Sequence, residues 1–219
     1  MVTVTDEMVQ AYQRDGVVLV KGLWADWVED LRAGIARNMA EPGLYAAENL
    51  KPGESGRFFD DYCNWERIPE FARVIRESAV AEVAGRLMGS DRVQLFHDHV
   101  LVKEPGTSKP TPWHSDGPYY FVEGRQTVSF WSPLDPVRAA SLRCVAGSHL
   151  WEKDVLPTRW LAGGAFYPDP EKYMPVPDPD AEGMRVLEWE MEPGDAVAFH
   201  YRTLHGARGN EAASRRRAF

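Results

Sequence analysis

Beyond Arg92 the chain becomes a succession of short apolar runs cut by proline and glycine. These are residues 93–103, 127–131, 141–145, 186–190 and 195–199, with Pro105-Gly106 and Pro193-Gly194 among the breaks. Runs of this length, rich in valine, leucine and aromatics, read as strands. Short helices precede them. That order predicts an α+β, mainly β protein built on a rolled antiparallel sheet.

The helical signals are local. Thr5 is placed to cap a helix whose first turn holds Asp6 and Glu7, with Met8, Val9 and Tyr12 at helical spacing and Gly16 as the stop. Val17-Val18-Leu19-Val20 is a β-branched strand closed by Gly22. Over residues 25–39, Trp27, Val28, Leu31, Ile35 and Met39 form one apolar stripe, the mark of a helix packed on a sheet. Helices over 68–76 and 80–88 follow, the second stopped by Gly89. Residues 41–61 hold Pro42, Gly43, Pro52, Gly53 and Gly56 without a period, which predicts a long loop near a site's mouth. Residues 151–183 predict a second irregular segment, long enough to fold over a pocket.

With 219 residues the chain suffices for one core and is short for two. The sequence predicts a single domain over 1–219, with a helical flank to about residue 90, a β core from about 91, and a last strand cut short at Phe219. A net charge of −8, with Arg215-Arg216-Arg217 as the only basic run, argues against nucleic acid as partner. Cys63 and Cys144 stand far apart with no CxxC, so neither a disulfide framework nor a thiolate zinc site is indicated. No apolar stretch approaches membrane-spanning length, and the first twenty residues lack the basic start and apolar run of a signal peptide. A cytoplasmic protein acting on a small molecule, without a membrane partner, is expected; oligomeric state is not legible.

The chemistry concentrates in Thr111-Pro112-Trp113-His114-Ser115-Asp116-Gly117. In an extended strand His114 and Asp116 project to one side. One neutral nitrogen with one anionic oxygen suits Fe(II), Mn(II) or Zn(II) better than calcium or copper(I). A His-x-Asp triplet also arises by chance, and two ligands do not hold a catalytic metal. His205 in Leu204-His205-Gly206 is the candidate third ligand; two histidines and a carboxylate on one face leave three positions open, as in non-haem Fe(II) oxygenases. Arg216 could grip the far carboxylate of a dicarboxylate bound to such a metal. His97 and His99 would share a strand face with Leu101 and Lys103. They form a rival metal pair, or else line the pocket together with Tyr119.

These residues and their order resemble the phytanoyl-CoA dioxygenase family. The resemblance is carried by Leu101-Val102-Lys103-Glu104-Pro105-Gly106, Pro112-Trp113-His114-Ser115-Asp116, Phe130-Trp131-Ser132-Pro133-Leu134-Asp135, Val145-Ala146-Gly147-Ser148-His149, Leu204-His205-Gly206 and Arg216. It extends to the amino-terminal Asp15-Gly16-Val17-Val18-Leu19-Val20. The resemblance implies a double-stranded β-helix, or jelly roll, holding Fe(II) through His114, Asp116 and His205. It further implies 2-oxoglutarate as co-substrate with its distal carboxylate on Arg216, and O2 as oxidant. Trp131 resembles a tryptophan beside the co-substrate, and Lys103 stands where an inward polar residue reaches it. The implied reaction hydroxylates an unactivated C–H bond and releases succinate and CO2. Halogenating relatives lack the carboxylate that Asp116 supplies. Two rivals remain: a jelly roll that binds metal or dicarboxylate without turnover, and the same iron chemistry ending in desaturation, cyclisation or epimerisation. Since the chain stops three residues past Arg216, a frayed last strand with a poorly held Arg216 is also expected, and a slipped register would turn Arg215 or Arg217 inward instead.

Overall fold

The computed structural model describes residues 2–138, 142–161, 163–210 and 212–219. Helix α1 (Asp6–Asp15) begins at Thr5, whose hydroxyl accepts the Met8 N–H, and ends at Gly16 in the left-handed conformation. β1 (Val17–Val20) follows, then α2 (Val28–Ala40), β2 (Ala47–Glu48), β3 (Phe58–Tyr62), α3 (Pro69–Glu77) and α4 (Val80–Met88). The strands β4 (His99–Lys103), β5 (Thr111–His114), β6 (Ser129–Trp131), β7 (Leu142–Val145), β8 (Val186–Leu187), β9 (Ala196–Phe199), β10 (His205–Ala207) and β11 (Arg216–Ala218) complete the chain. Ser141, where the sequence opens the seventh strand, lies outside the described residues.

The strands form three antiparallel sets, β1-β9-β6, β11-β4-β3-β2 and β5-β10-β7-β8. The first two merge into one curved surface. Ser132 and Phe219 exchange N–H···O bonds of 2.9 and 3.0 Å, and Leu134 N–H donates to Arg217 O, so β6 runs on into β11. The third set faces this surface, giving a jelly roll that is mainly β.

Strand parity divides the core. Val17, Leu19, Val197, Phe199, Trp131 and Leu101 point between the sheets, where they meet Leu142, Cys144 and Leu187. Val18, Val20, Ala196, Ala198, Phe59, Val100 and Val102 point the other way and are covered by Leu31 and Ile35 of α2 and Phe71 and Val74 of α3. Both faces of the larger surface are therefore buried, which is why β1 and β9 read as continuous apolar runs. Phe59 is 2% exposed in this outer core. Phe59→Ala is expected to cost about 3–5 kcal/mol of stability, read as a shift in urea midpoint at unchanged slope.

Three expectations are corrected. Residues 41–61 are not a single loop, because β3 occupies 58–62 and pairs along its whole length with β4. Its carboxylates look like loop residues but are buried on donors: Asp61 accepts from Asn38 and the Gly43 N–H, Asp60 from Asn49. The strand expected over 93–103 forms only from His99 onward. Asp98 instead accepts the N–H groups of Asn64 and Trp65, tying its stretch to the 63–65 loop. Residues 186–190 likewise contribute only the short β8.

Candidate metal and co-substrate site

β10 lies antiparallel to β5 in a register that sets His205 opposite His114, and the two ring centres are 4.2 Å apart. Asp116 Oδ1 is 3.5 Å from His114 Nε2 and 3.7 Å from His205 Nε2. All three donor atoms lie within 4.8 Å of one another. The convergence does not come from strand pleating. β5 ends at His114, and Asp116 has a helical backbone (φ −76°, ψ −30°). It is held there because Tyr201 O accepts the N–H groups of both Asp116 (2.8 Å) and Gly117 (3.0 Å).

The imidazoles are already oriented. His114 Nδ1 lies 2.7 Å from Pro112 O and His205 Nδ1 lies 2.9 Å from Thr203 O. A carbonyl can only accept, so each Nδ1 carries the proton and each Nε2 presents its lone pair toward Asp116. Burial opposes charge on Asp116, but the facing His205 and His114 outweigh it and hold the carboxyl at about 2. Burial, reinforced by His114, pushes His205 down to about 4. Near neutral pH the cluster offers an anionic oxygen beside a neutral His205 nitrogen, a donor set that fits a divalent first-row metal. Among the described residues no other group of His, Cys, Asp and Glu comes close enough to hold a metal. His97 and His99 thus form no second centre.

A basic pole lies on the facing sheet. Arg216 pairs with Lys103 in the β11–β4 register. Arg215 turns outward to Glu104 and Arg217 to Asp135, whereas Arg216 is buried. At the end of β11, Phe219 exchanges two backbone hydrogen bonds with Ser132 and packs on Phe71 and Trp24. Lys103 Nζ donates to Lys109 O (2.9 Å) and Thr111 Oγ1 (3.2 Å) and sits 4.3 Å from the centre of the Phe58 ring. Arg216 Nη2 donates to Arg208 O at 3.3 Å. Burial brings Arg216 down to about 10. Burial first, and then the Arg216 charge, bring Lys103 down from 10.5 to about 6.

Between those two Lys103 values the unfolded chain holds a proton that the folded chain lacks, so this group makes stability rise with pH across the window. Lys103→Met is expected to lower the slope of stability against pH between about 6.5 and 9 by up to about 1.4 kcal/mol per pH unit. Urea titrations at several pH values measure it; parallel profiles for the two proteins would refute it.

Trp131 is buried between the sheets in one cluster with Phe199 and Ala218, and Phe199 in turn lies 4.6 Å from the His205 ring. Tyr119 approaches His114 edge-on at 6.4 Å, and its hydroxyl donates to Thr158 O and accepts the Thr158 N–H. Trp160, from the irregular segment after residue 151, packs on His114 at 5.1 Å. His99 Nε2 lies 3.1 Å from Asp60 Oδ2, while His97 stands just outside the strand. Sequence reasoning missed Asp60, Phe58 and Trp160. The first two would have followed from reading 58–62 as a strand, since parity then sets them on the face of His99 and Lys103; nothing local marks Trp160.

Residues 12–218 match the phytanoyl-CoA dioxygenase (PhyH) family. Over 120 residues the chain is 28% identical to the ectoine dioxygenase of Bordetella bronchiseptica (strain ATCC BAA-588 / NCTC 13252 / RB50), a match spanning 53% of this chain and 38% of that protein. The non-heme, alpha ketoglutarate dependent carbocyclase SnoK from nogalamycin biosynthesis is 25% identical with a TM-score of 0.78, over 99% of this chain and 82% of that one. Two structures share the fold at lower identity. The epimerase SnoN, solved with Fe3+, alpha ketoglutarate and nogalamycin RO, gives 0.76 at 24% over 97% and 80% of the two chains. EctD from S. alaskensis, solved with 2-oxoglutarate and 5-hydroxyectoine, gives 0.73 at 21% over 98% and 74%. No helix among the described residues is long and apolar enough to cross a membrane. The chain belongs to the phytanoyl-CoA dioxygenase family of iron- and 2-oxoglutarate-dependent oxygenases.

Proposed function

We propose that this protein is a non-haem Fe(II)- and 2-oxoglutarate-dependent dioxygenase that hydroxylates a small organic molecule. His114, Asp116 and His205 would be the metal ligands. The observation that carries the reading is the convergence of their donor atoms within 4.8 Å, with both imidazoles fixed in the tautomer a metal needs. Bound there with O2, iron and 2-oxoglutarate supply oxidation of an unactivated C–H bond, the co-substrate leaving as succinate and CO2.

The chain's own residues supply position and exclusion. Arg216, backed by Lys103, takes the distal carboxylate of 2-oxoglutarate through its planar fork. Trp131 closes the inner wall beside it. Trp160 and Tyr119 shield His114 from bulk water, while His97, His99 and Tyr119 line the substrate side. A second outcome for the same iron chemistry, ring closure, is supported by the likeness to SnoK, named a carbocyclase. Product analysis separates the outcomes. Anaerobic addition of Fe(II) and 2-oxoglutarate is expected to give a weak visible charge-transfer band, and O2 with a substrate is expected to give succinate. Absence of both would overturn the reading.

A further inference from the structure

Along β3, β4 and β11 one sheet face carries Phe58, Asp60, Tyr62, His99, Lys103 and Arg216. Lys103 and Arg216 form a pole at one end. His99 and Asp60 form another, about 13 Å along β4. His99 Nε2 lies 3.1 Å from Asp60 Oδ2, and Asp60 also takes the side-chain amide of Asn49. A carboxylate accepts only, so the proton stays on Nε2 and Nδ1 is left as an acceptor. The His99 side chain is 35% exposed. Neither the metal cluster nor the co-substrate pole uses this dyad.

An aromatic path leads from it to the surface. Tyr62 meets His99 edge-on at 5.6 Å and stacks on Tyr45 at 4.6 Å with 7° between the planes. Tyr62 also meets His97 at 6.0 Å, His97 meets Phe96 at 5.0 Å, and Phe96 meets Phe121 at 5.3 Å. Phe121 is 91% exposed, Tyr45 46% and Phe96 44%. Large rings held at the surface in contact with one another, and continuous with a half-buried polar dyad on the sheet that faces the metal cluster, are the expected lining of a ligand entrance.

We infer that His99, held by Asp60, and the rings of Tyr45, Tyr62, Phe96 and Phe121 form the substrate subsite, and that the substrate is an apolar ring system bearing a hydroxyl group. The rings take the apolar body by stacking. The hydroxyl donates to His99 Nδ1 and so fixes which carbon faces the metal cluster. This rests on the oxygenase reading, because only that reading gives the subsite a reaction to serve.

The test uses the protein loaded anaerobically with Fe(II) and 2-oxoglutarate, and two probes of nearly equal shape, 2-naphthol and 2-methylnaphthalene, in equilibrium dialysis. The wild type is expected to bind the naphthol about ten-fold more tightly, the worth of one hydrogen bond. His99→Phe keeps a ring of similar size but has no acceptor; it is expected to erase that preference, so that the two probes bind equally. Phe121→Ala, at an exposed position, is expected to weaken both probes equally. Asp60→Leu, which leaves the His99 proton unheld, is expected to narrow the preference if it folds, and His99→Phe decides alone if it does not. No preference in the wild type, a preference that survives His99→Phe, or no binding of either probe overturns the inference. The charge-transfer band is recorded on the same wild-type sample: a band without naphthol preference sinks the subsite alone, whereas a preference without a band sinks the oxygenase reading and leaves the subsite standing.

Discussion

Replacing His114 with alanine is expected to lower Fe(II) affinity by more than about 100-fold, to remove the visible band given by Fe(II) with 2-oxoglutarate, and to stop succinate formation. The magnitude is a lower bound: losing only a hydrogen-bond partner behind a ligand already costs 10- to 100-fold, and here a donor atom itself is lost. Asp116 and His205 would remain, but a carboxylate and one imidazole do not define a face of an octahedron. His205→Ala is expected to behave alike, since the register makes the two rings equivalent partners of Asp116. Asp116→Asn tests charge apart from shape, because it keeps the contacts at 3.5 and 3.7 Å and removes the anion. A cooperative melt retained in each variant separates metal loss from unfolding. Wild-type iron content in His114→Ala would remove the basis of the assignment.

What was legible in the sequence was whatever is encoded over a few residues. Thr5 and Gly16 bound α1, and Gly89 stops α4 in the left-handed conformation. Glu192-Pro193-Gly194 turns into β9, and Gly194, at φ +88° with the Ala25 backbone 2.6 Å from where a Cβ would stand, admits no side chain. β3 was not legible. Adjacent Asp60 and Asp61 look like solvated loop residues, and their burial depends on donors at Asn38, Asn49 and His99, none a near neighbour in sequence. Residues 93–98 mislead in the opposite sense, being apolar enough for a strand but left without a partner once Asp98 turns to Asn64 and Trp65. The metal cluster lies between these cases. His-x-Asp announced two of its members, yet the backbone that joins them is a strand end clamped on Tyr201, a residue with no motif of its own.

Arg216→Met is expected to weaken 2-oxoglutarate binding by about 100-fold or more, because a desolvated guanidinium–carboxylate pair broken on one side costs about 2–5 kcal/mol. Lys103 alone does not replace it. In the free protein Lys103 sits at about 6, held down by burial and then by Arg216, so at pH 7.5 it is mostly neutral. A dicarboxylate arriving beside it favours the ammonium form, and binding therefore takes up a proton. By the same linkage, the affinity of the wild-type protein falls as pH rises above about 6. Calorimetry in two buffers of different ionisation enthalpy reads the proton count directly. Lys103→Met is expected to abolish proton uptake and cost less affinity than Arg216→Met, whereas Arg216→Met loses most of the binding and, with the neighbouring charge gone, lets Lys103 rise and shrinks the uptake. The two residues thus divide the work, a permanent charge that sets affinity and a conditional one that sets its pH dependence. Unchanged affinity in Arg216→Met would place the distal carboxylate elsewhere, and equal proton uptake in wild type and Lys103→Met would deny the lysine its part.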